Sequence, residues 1–122
     1  FVKVVLDDDL DKARNQVRQD MALYIGGMGA RDKNFYNDYA KRLGYEGAAV
    51  EIQDHFLSGR RAEAAAAGPD DLIDDVALVG SADRIREHLA PWRQAGASGQ
   101  VGSMLIQSTS IEAIRLMAEE LL

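Results

Sequence analysis

The loop of residues 26–34 carries the side chains best suited to bind an anion. Arg31 and Lys33 immediately precede Asn34, a residue type favoured at the N-cap of a helix, and the next helix is predicted to begin at Phe35. Two cations and the free N–H groups of a helix N-terminus can bind one anion together. The sequence therefore predicts an anion contact at Arg31, Lys33 and Asn34, with a solvated loop as the alternative.

The glycines of the same loop do not form a nucleotide-binding motif. Gly26, Gly27 and Gly29 follow a predicted helix, whereas phosphate-binding and dinucleotide-binding motifs need a strand before the glycines and a helix after them. The C-terminal end of a helix also carries partial negative charge, which repels anions. We interpret these glycines as a helix stop at Gly26 followed by a flexible connection.

Two patterns of possible metal ligands are incomplete. His55 lies one helical turn beyond Glu51, but no third ligand follows at a suitable spacing. The aspartates between Asp7 and Asp11 imitate the start of a calcium loop, yet Lys12 stands where that loop requires glycine. We predict no metal site and interpret the aspartates as caps of the following helix.

Composition excludes several classes of function. The chain has 122 residues, of which 47% are hydrophobic and 28% charged, as in a folded domain. The net charge of −6 and the lack of a basic stripe argue against binding to nucleic acid or anionic membranes. Cysteine is absent, so disulfides and thiolate chemistry are excluded. No apolar run reaches the ~18 residues of a membrane span, and we expect a cytoplasmic location.

The strand pattern is that of an incomplete parallel sheet. Residues 1–6 are nearly all apolar and β-branched, and residues 104–107 form a second predicted strand. The apolar run 76–80 is interpreted as a connection. Because two parallel strands leave both edges unpaired, we expect them to complete a larger sheet or to pair with another copy. The chain opens directly in a strand at Phe1, as a segment cut from a longer protein would.

Apolar residues at three- and four-residue steps predict a series of helices. Phe35, Tyr39 and Leu43 form one such stripe, and Ser81 is the predicted N-cap of a helix that Pro91 should shorten. Thr109 with Glu112 is predicted to form a capping box for the last helix. The other apolar stripes run through residues 10–24, 48–56, 60–67, 70–75, 85–92 and 111–121.

A set of short motifs is similar to one enzyme family. They are Ala22-Leu23-Tyr24-Ile25-Gly26-Gly27-Met28-Gly29, Asn34-Phe35-Tyr36, Arg42-Leu43-Gly44-Tyr45, Phe56-Leu57-Ser58-Gly59-Arg60-Arg61, Pro69-Asp70-Asp71-Leu72-Ile73 and Val79-Gly80-Ser81. Over residues 8–96 the chain resembles the C-terminal part of luciferase-like monooxygenases, in the deazaflavin (coenzyme F-420)-dependent branch. The resemblance implies an α/β fold, namely the C-terminal portion of a TIM-type (β/α)8 barrel. The part of the barrel present in this sequence would be predominantly helical. Residues 1–122 would be a single segment with strand seven at 1–6, strand eight at 104–107 and a helical insertion.

The resemblance also implies a function for a longer parent protein. Such a parent would transfer a hydride between coenzyme F-420, or FMN as the alternative, and a small organic substrate. The loops of the earlier strands that hold the cofactor ring do not occur in this sequence. We therefore expect the isolated segment to be inactive, to bind no cofactor and to self-associate.

Barrel active sites lie at the C-terminal ends of strands, which directs attention to Asp7, Asp8, Gln107, Ser108 and Thr109. Gln107 and Ser108 join the basic loop as predicted cofactor or substrate contacts, whereas the aspartates and Thr109 also suit helix capping. No catalytic residue is assigned. The alternative hypothesis is a non-catalytic helical packing or oligomerisation module.

Overall fold

Strands and helices alternate along the chain in the computed structural model, which describes all residues, Phe1–Leu122. The elements are β1 (Val2–Leu6), α1 (Leu10–Met21), a π-helix (Ala22–Gly27), α2 (Phe35–Arg42), α3 (Glu46–Leu57), α4 (Arg61–Ala66), α5 (Asp70–Val76), β2 (Ala77–Gly80), α6 (Ala82–His88), α7 (Ala90–Ala97), β3 (Ile106–Gln107) and α8 (Ile111–Leu121). They belong to two compact units. The sheet unit comprises Phe1–Arg14 and Asp74–Leu122, and the helical unit comprises Asn15–Ile73.

The sheet has three parallel strands in the order β2-β1-β3. The prediction of two strands was therefore wrong, because residues 77–80 form a strand and not a connection. β2 aligns Ala77 to Gly80 with Lys3 to Leu6 of β1. All four β2 residues are buried, so their sequence lacks the polar alternation that distinguishes a half-exposed strand from an apolar connection. The predicted strand 104–107 is shorter than expected and begins at Ile106.

The sheet unit has an apolar core. Its buried members are Val2, Val4, Leu78, Ile85, Leu89, Ala113, Leu116 and Met117. Fully burying a large aliphatic side chain is worth about 1.5–3 kcal/mol, so this cluster is the main source of the unit's stability. Trp92 is partly buried and packs against the cluster.

The helices of the sheet unit begin and end close to the predicted positions. Ser81 Oγ accepts a hydrogen bond from Arg84 N at 3.3 Å, as expected for the N-cap of α6. Pro91 lies in the first turn of α7, so the predicted helix is divided in two. The capping box at Thr109 was wrong. Ser110 is the N-cap of α8 and accepts from Ala113 N at 3.2 Å, because the helix begins one residue later than predicted.

The helical unit buries small and polar side chains as well as large apolar ones. Its buried apolar residues include Val17, Ala22, Ile25, Ala40, Ala49, Ile52, Ala64, Leu72 and Ile73. On α2 the buried residues are Asn37 and Ala40. The apolar stripe that predicted α2 is not its buried face, because Phe35, Tyr39 and Leu43 are exposed by 67%, 45% and 40%.

The predicted helix stop at Gly26 is also corrected by the structure. The chain continues from α1 into a π-helix that ends at Gly27. Glycine is needed here for close packing and not for a positive φ angle, since neither residue has one. A Cβ atom on Gly26 would lie 2.5 Å from Phe56 Cβ, and one on Gly27 would lie 2.3 Å from Phe56 Cε1. None of the helices in the chain is long and apolar enough to cross a membrane.

Candidate functional site

The carboxyl ends of β1 and β2 are joined by a backbone hydrogen bond from Asp7 N to Gly80 O at 2.9 Å. Asp7 Oδ1 accepts from Asp9 N at 2.9 Å, and Asp9 Oδ1 accepts from Lys12 N at 3.1 Å. The N–H group of Asp9 lowers the pKa of Asp7, and Lys12 Nζ, 3.3 Å from Asp7 Oδ2, acts in the same direction. The predicted capping role is therefore confirmed for Asp9, whose side chain accepts from the first turn of α1, whereas Asp7 bonds to the backbone of Asp9 before the helix begins.

An ion-pair network that the sequence did not suggest lies in the same unit. Arg14 donates from Nε to Asp74 Oδ1 at 3.1 Å and from Nη2 to Asp74 Oδ2 at 2.7 Å. Arg84 Nη2 donates to Asp74 Oδ2 at 2.9 Å. Burial alone would raise the pKa of Asp74, but the hydrogen bonds and charges of the two arginines hold it below its ordinary value. The carboxylate is therefore ionised at neutral pH and fixes two guanidinium groups.

The position of Arg84 depends on the glycine at the end of β2. Gly80 has a φ of 112°, and a Cβ atom there would lie 2.7 Å from Arg84 Cδ. Arg84 Nε donates to Val79 O at 3.1 Å. A side chain at Gly80 would therefore be strained and would also displace Arg84.

The predicted anion site at residues 31–34 is only partly available to a ligand. Arg31 pairs with Asp54, so its charge is already neutralised. Lys33 is exposed and forms no ion pair. Asn34 is buried, and its Oδ1 accepts from Asn37 N at 3.0 Å, which confirms Asn34 as the N-cap of α2. An anion contact at these residues stays a prediction, and Lys33 is the cation best placed to make it.

Two buried amides connect this loop to the π-helix. Asn34 Nδ2 donates to Tyr24 O at 3.0 Å and to Ile25 O at 3.1 Å. Asn37 Nδ2 donates to Ile25 O at 3.1 Å and to Ala49 O at 2.8 Å. Carbonyl groups near a helix C-terminus lack partners within the helix, and the two amides satisfy those of Tyr24 and Ile25. The bond to Ala49 O connects Asn37 to α3. The sequence indicated the cap at Asn34 but gave no signal for the role of Asn37.

Gln107 and Ser108 follow the prediction in location only. Gln107 is exposed and aligns with Lys3 in the pairing of β1 with β3, so it lies at the carboxyl end of β3. Ser108 Oγ accepts from Ser110 N at 3.3 Å, next to the start of α8. Their contact with a cofactor or substrate stays a prediction.

His55 interacts with its neighbours along the chain. Its Nε2 lies 3.7 Å from Glu51 Oε1, and its Nδ1 accepts from Arg60 Nε at 3.0 Å. No group of three or more His, Cys, Asp or Glu side chains in the structure is arranged to hold a metal ion.

Comparison with known proteins identifies the family. The sequence profile of the family described as luciferase-like monooxygenase matches residues 1–99. This chain belongs to the luciferase-like monooxygenase family. It is similar to a protein of Mycobacterium tuberculosis that carries the name "putative coenzyme F-420-dependent oxidoreductase", with 40% identity over 116 residues. The match covers 95% of this chain and 32% of that relative, so the chain spans about a third of the relative's length. No solved structure matches the chain.

The family match separates the candidate residues into two groups. The network of Arg14, Asp74 and Arg84 lies inside residues 1–99, as does the basic loop, whereas Gln107 and Ser108 lie outside it. Arg14 and Asp74 are 60 residues apart in sequence, and no short motif contains both. Pairing of β1 with β2 places the chain segments that carry Arg14 and Asp74 in one unit. Recognising β2 as a strand would therefore have been needed to predict this ion pair from the sequence.

Proposed function

We propose that this chain is the C-terminal part of a cytoplasmic oxidoreductase that transfers a hydride between coenzyme F-420, or FMN as the alternative, and a small organic substrate. The observation that supports the proposal is the luciferase-like match over residues 1–99, together with the relative's name. The segment alone is inactive in this proposal, because the chain spans 32% of that relative. No catalytic residue is assigned.

The proposed fold of the longer protein is a (β/α)8 barrel in which residues 1–122 are one segment. β1 and β3 are parallel neighbours, as consecutive strands seven and eight would be. β2 occupies the other edge of β1, where strand six of a closed barrel would pair. Closure of the barrel therefore requires β2 to leave this edge when strand six pairs with β1.

The residues of this chain fit the anionic part of such a coenzyme better than its ring. Coenzyme F-420 in the family carries a phosphate and an acidic tail, and when bound it supplies the hydride chemistry. Lys33 is exposed without an ion pair beside the N-terminus of α2 and is suited to a phosphate or carboxylate. Arg31 would first have to leave Asp54, whereas Asn34 positions the loop by capping α2. Gln107 and Ser108 are proposed as additional contacts.

A chimera provides the direct test. The matching segment of the mycobacterial relative is replaced by this chain, and binding of coenzyme F-420 and of FMN is followed by cofactor fluorescence. We expect the chimera to bind coenzyme F-420 as the relative does, and the 122-residue chain to bind neither cofactor. A folded chimera that fails to bind while the relative binds would contradict the proposal, and micromolar binding by the chain alone would contradict the need for the remaining barrel.

In a binding chimera, the basic loop is tested by Lys33→Ala with Arg31→Ala as the matched control. Exposed charge contacts are worth ~0.5–1 kcal/mol, so Lys33→Ala should weaken coenzyme binding several-fold at low salt. Arg31→Ala should have a smaller effect, because Asp54 already neutralises Arg31. Equal affinities of the unmodified chimera and Lys33→Ala at low ionic strength would remove the loop from the site.

A specific observation also favours the second hypothesis, a non-catalytic packing or oligomerisation module. The outer face of α2 exposes Phe35, Tyr39 and Leu43, and the Phe35 and Tyr39 rings are stacked with centroids 6.4 Å apart. Contiguous exposed apolar surface is typical of protein interfaces. We propose self-association through this face.

A further inference from the structure

A cleft of ≈ 630 Å³ lies within the helical unit, lined by residues of α1, the π-helix, α3 and α4. This volume falls in the range of small-molecule sites, which is about 300–1,000 Å³. Small apolar side chains form one wall, namely Ala62, Ala65 and Ala66 of α4. The partly exposed Leu23 of the π-helix adds apolar surface. The cleft is separate from every residue that the proposed function uses.

The aromatic member of the lining is held in place by the glycine pair. Phe56 lies against the backbone of Gly26 and Gly27 so closely that a Cβ atom on either glycine would fall within 2.5 Å of it. The glycine backbone therefore limits movement of the ring toward the π-helix. π-helical turns occur frequently at functional sites, since they offset the backbone from regular α-helical geometry.

One of the two arginines in the lining is fully engaged by the protein. Arg18 donates from Nε to Gly68 O at 2.7 Å and from Nη1 to Asn15 Oδ1 at 2.7 Å, and its Nη2 pairs with Asp70. Its side chain is only 14% exposed. Arg18 therefore connects α1 to the segment before α5 and has little capacity left for a ligand.

The other arginine is available. The guanidinium of Arg61 lies 5.3 Å from the centroid of the Phe56 ring, and the residue is exposed and forms no ion pair. The neighbouring cations of the unit are engaged, since Arg31 pairs with Asp54 and Arg60 donates to His55. The chain has a net charge of −6, so most of its surface repels anions. Arg61, held over the Phe56 ring beside the alanine wall, instead attracts an anion to the cleft.

We propose that this cleft binds a small amphipathic carboxylate. The planar or aliphatic body of the ligand lies against Phe56 and the alanine wall, and its carboxylate accepts hydrogen bonds from Arg61. Guanidinium groups match the planar carboxylate with two parallel N–H donors, which favours this anion over an apolar molecule of the same shape. The site does not depend on the proposed hydride transfer.

The test uses the 122-residue chain and two probes of nearly equal shape, 2-naphthoate and the neutral 2-naphthamide. Binding is measured by calorimetry, and the site is located from the NMR shifts of the methyl groups of Ala62, Ala65 and Ala66. We expect 2-naphthoate to bind more tightly than the amide and to shift these methyl signals. Arg61→Gln should weaken 2-naphthoate about two- to fivefold, the scale of an exposed charge contact, and leave the amide unchanged.

Two further variants keep the test decisive. Arg60→Gln changes the net charge equally at the adjacent position, which does not line the cleft, and should leave 2-naphthoate binding unchanged. Ala66→Leu fills the cleft from an exposed position and should abolish binding of both probes without unfolding the chain. Equal binding of the two probes, equal losses in Arg61→Gln and Arg60→Gln, or methyl shifts outside the cleft would each overturn the proposal.

Discussion

The two units of this chain are stabilised by different interactions. The buried cluster of the sheet unit is entirely apolar. The helical unit instead buries the side chains of Asn34, Asn37 and Gln53. The side-chain Nδ2 groups of Asn34 and Asn37 donate to backbone carbonyls, but Asn37 Oδ1 and Gln53 Nε2 have no hydrogen-bond partner. A buried polar atom without a partner lowers the free energy of unfolding. The buried amides therefore make the helical unit less stable, while their hydrogen bonds fix the positions of particular chain segments.

The surface does not follow this contrast, since a helix of each unit exposes large apolar side chains. On α2 the amide of Asn37 faces inward, while the rings of Phe35 and Tyr39 face outward and are exposed by 67% and 45%. On α8 of the sheet unit, Ala113, Leu116 and Met117 are buried. The predicted inward stripe of this helix was Ile111, Ile114, Met117 and Leu121, and it was wrong except at Met117, because Ile111, Ile114 and Leu121 are exposed by 64%, 50% and 37%. Both helices therefore depart from ordinary amphipathic patterning, and α2 does so next to the loop that the sequence marked as a candidate site.

The largest effect is expected in the apolar core. Ile85→Ala removes a fully buried side chain of the sheet unit and should lower the free energy of unfolding by about 3 kcal/mol, because it leaves a cavity. Ile111→Ala is the matched control, since Ile111 is 64% exposed and should change stability by less than ~0.5 kcal/mol. Urea denaturation followed by fluorescence of Trp92, the single tryptophan, reports on this unit. Similar losses in both variants would contradict the assignment of the core.

A smaller loss is expected where the helical unit depends on close backbone approach. A Cβ atom on Gly29 would lie 2.2 Å from Lys33 O, so Gly29→Ala should destabilise the helical unit by about 2 kcal/mol. Gly47 in α3 has no atom within 4 Å of that position. Gly47→Ala should therefore be neutral or stabilise by up to about 1 kcal/mol, since alanine is the better helix former. Thermal unfolding followed by far-UV circular dichroism checks both, and a Gly29→Ala variant as stable as the original chain would show that the loop relaxes freely.

Asp74→Asn should have a still smaller effect, and one that depends on pH. The pKa of Asp74 is lowered from 3.8 in the folded chain, so its ion pairs stabilise the fold above that pH and stop doing so as the pH falls through the folded value. We expect a loss of about 1 kcal/mol at pH 7, as for partly exposed pairs, and no difference from the original chain well below pH 3.8. The exposed Asp8, replaced by Asn, is the control. Urea denaturation across this range checks the prediction, and a pH-independent difference would contradict it.

The sequence predicted local features better than distant contacts. Three kinds of local feature are present as predicted: the N-caps at Ser81 and Asn34, the division of the helix near Pro91, and an aspartate cap after β1, at Asp9. Each depends on residues a few positions apart. The strand at Ala77–Gly80 was missed because a short apolar run does not reveal whether it pairs.

The same limit applies to the candidate sites. The Arg14 and Asp74 pair depends on strand order, and the glycine pair depends on Phe56, which follows about thirty residues later. The exposed face of α2 was missed for a different reason: periodicity shows that Phe35, Tyr39 and Leu43 share a face, but not that Asn37 and Ala40 are the buried ones.

The smallest effect on stability, and the largest on association, is expected at that exposed face. Replacing both Phe35 and Tyr39 by Ser removes two stacked rings and their contacts with Arg42, whose guanidinium lies 5.8 Å and 5.9 Å from the two ring centroids. Because the rings are exposed, each substitution should change the free energy of unfolding by less than ~0.5 kcal/mol. Sedimentation at tens of micromolar should show an associated original chain and a monomeric double variant.

Val50→Ser, at a 43% exposed position on α3, is the control and should associate like the original chain. A monomeric original chain would remove self-association from the proposal, and loss of association in the Val50 variant would assign the interface to another face of the helical unit.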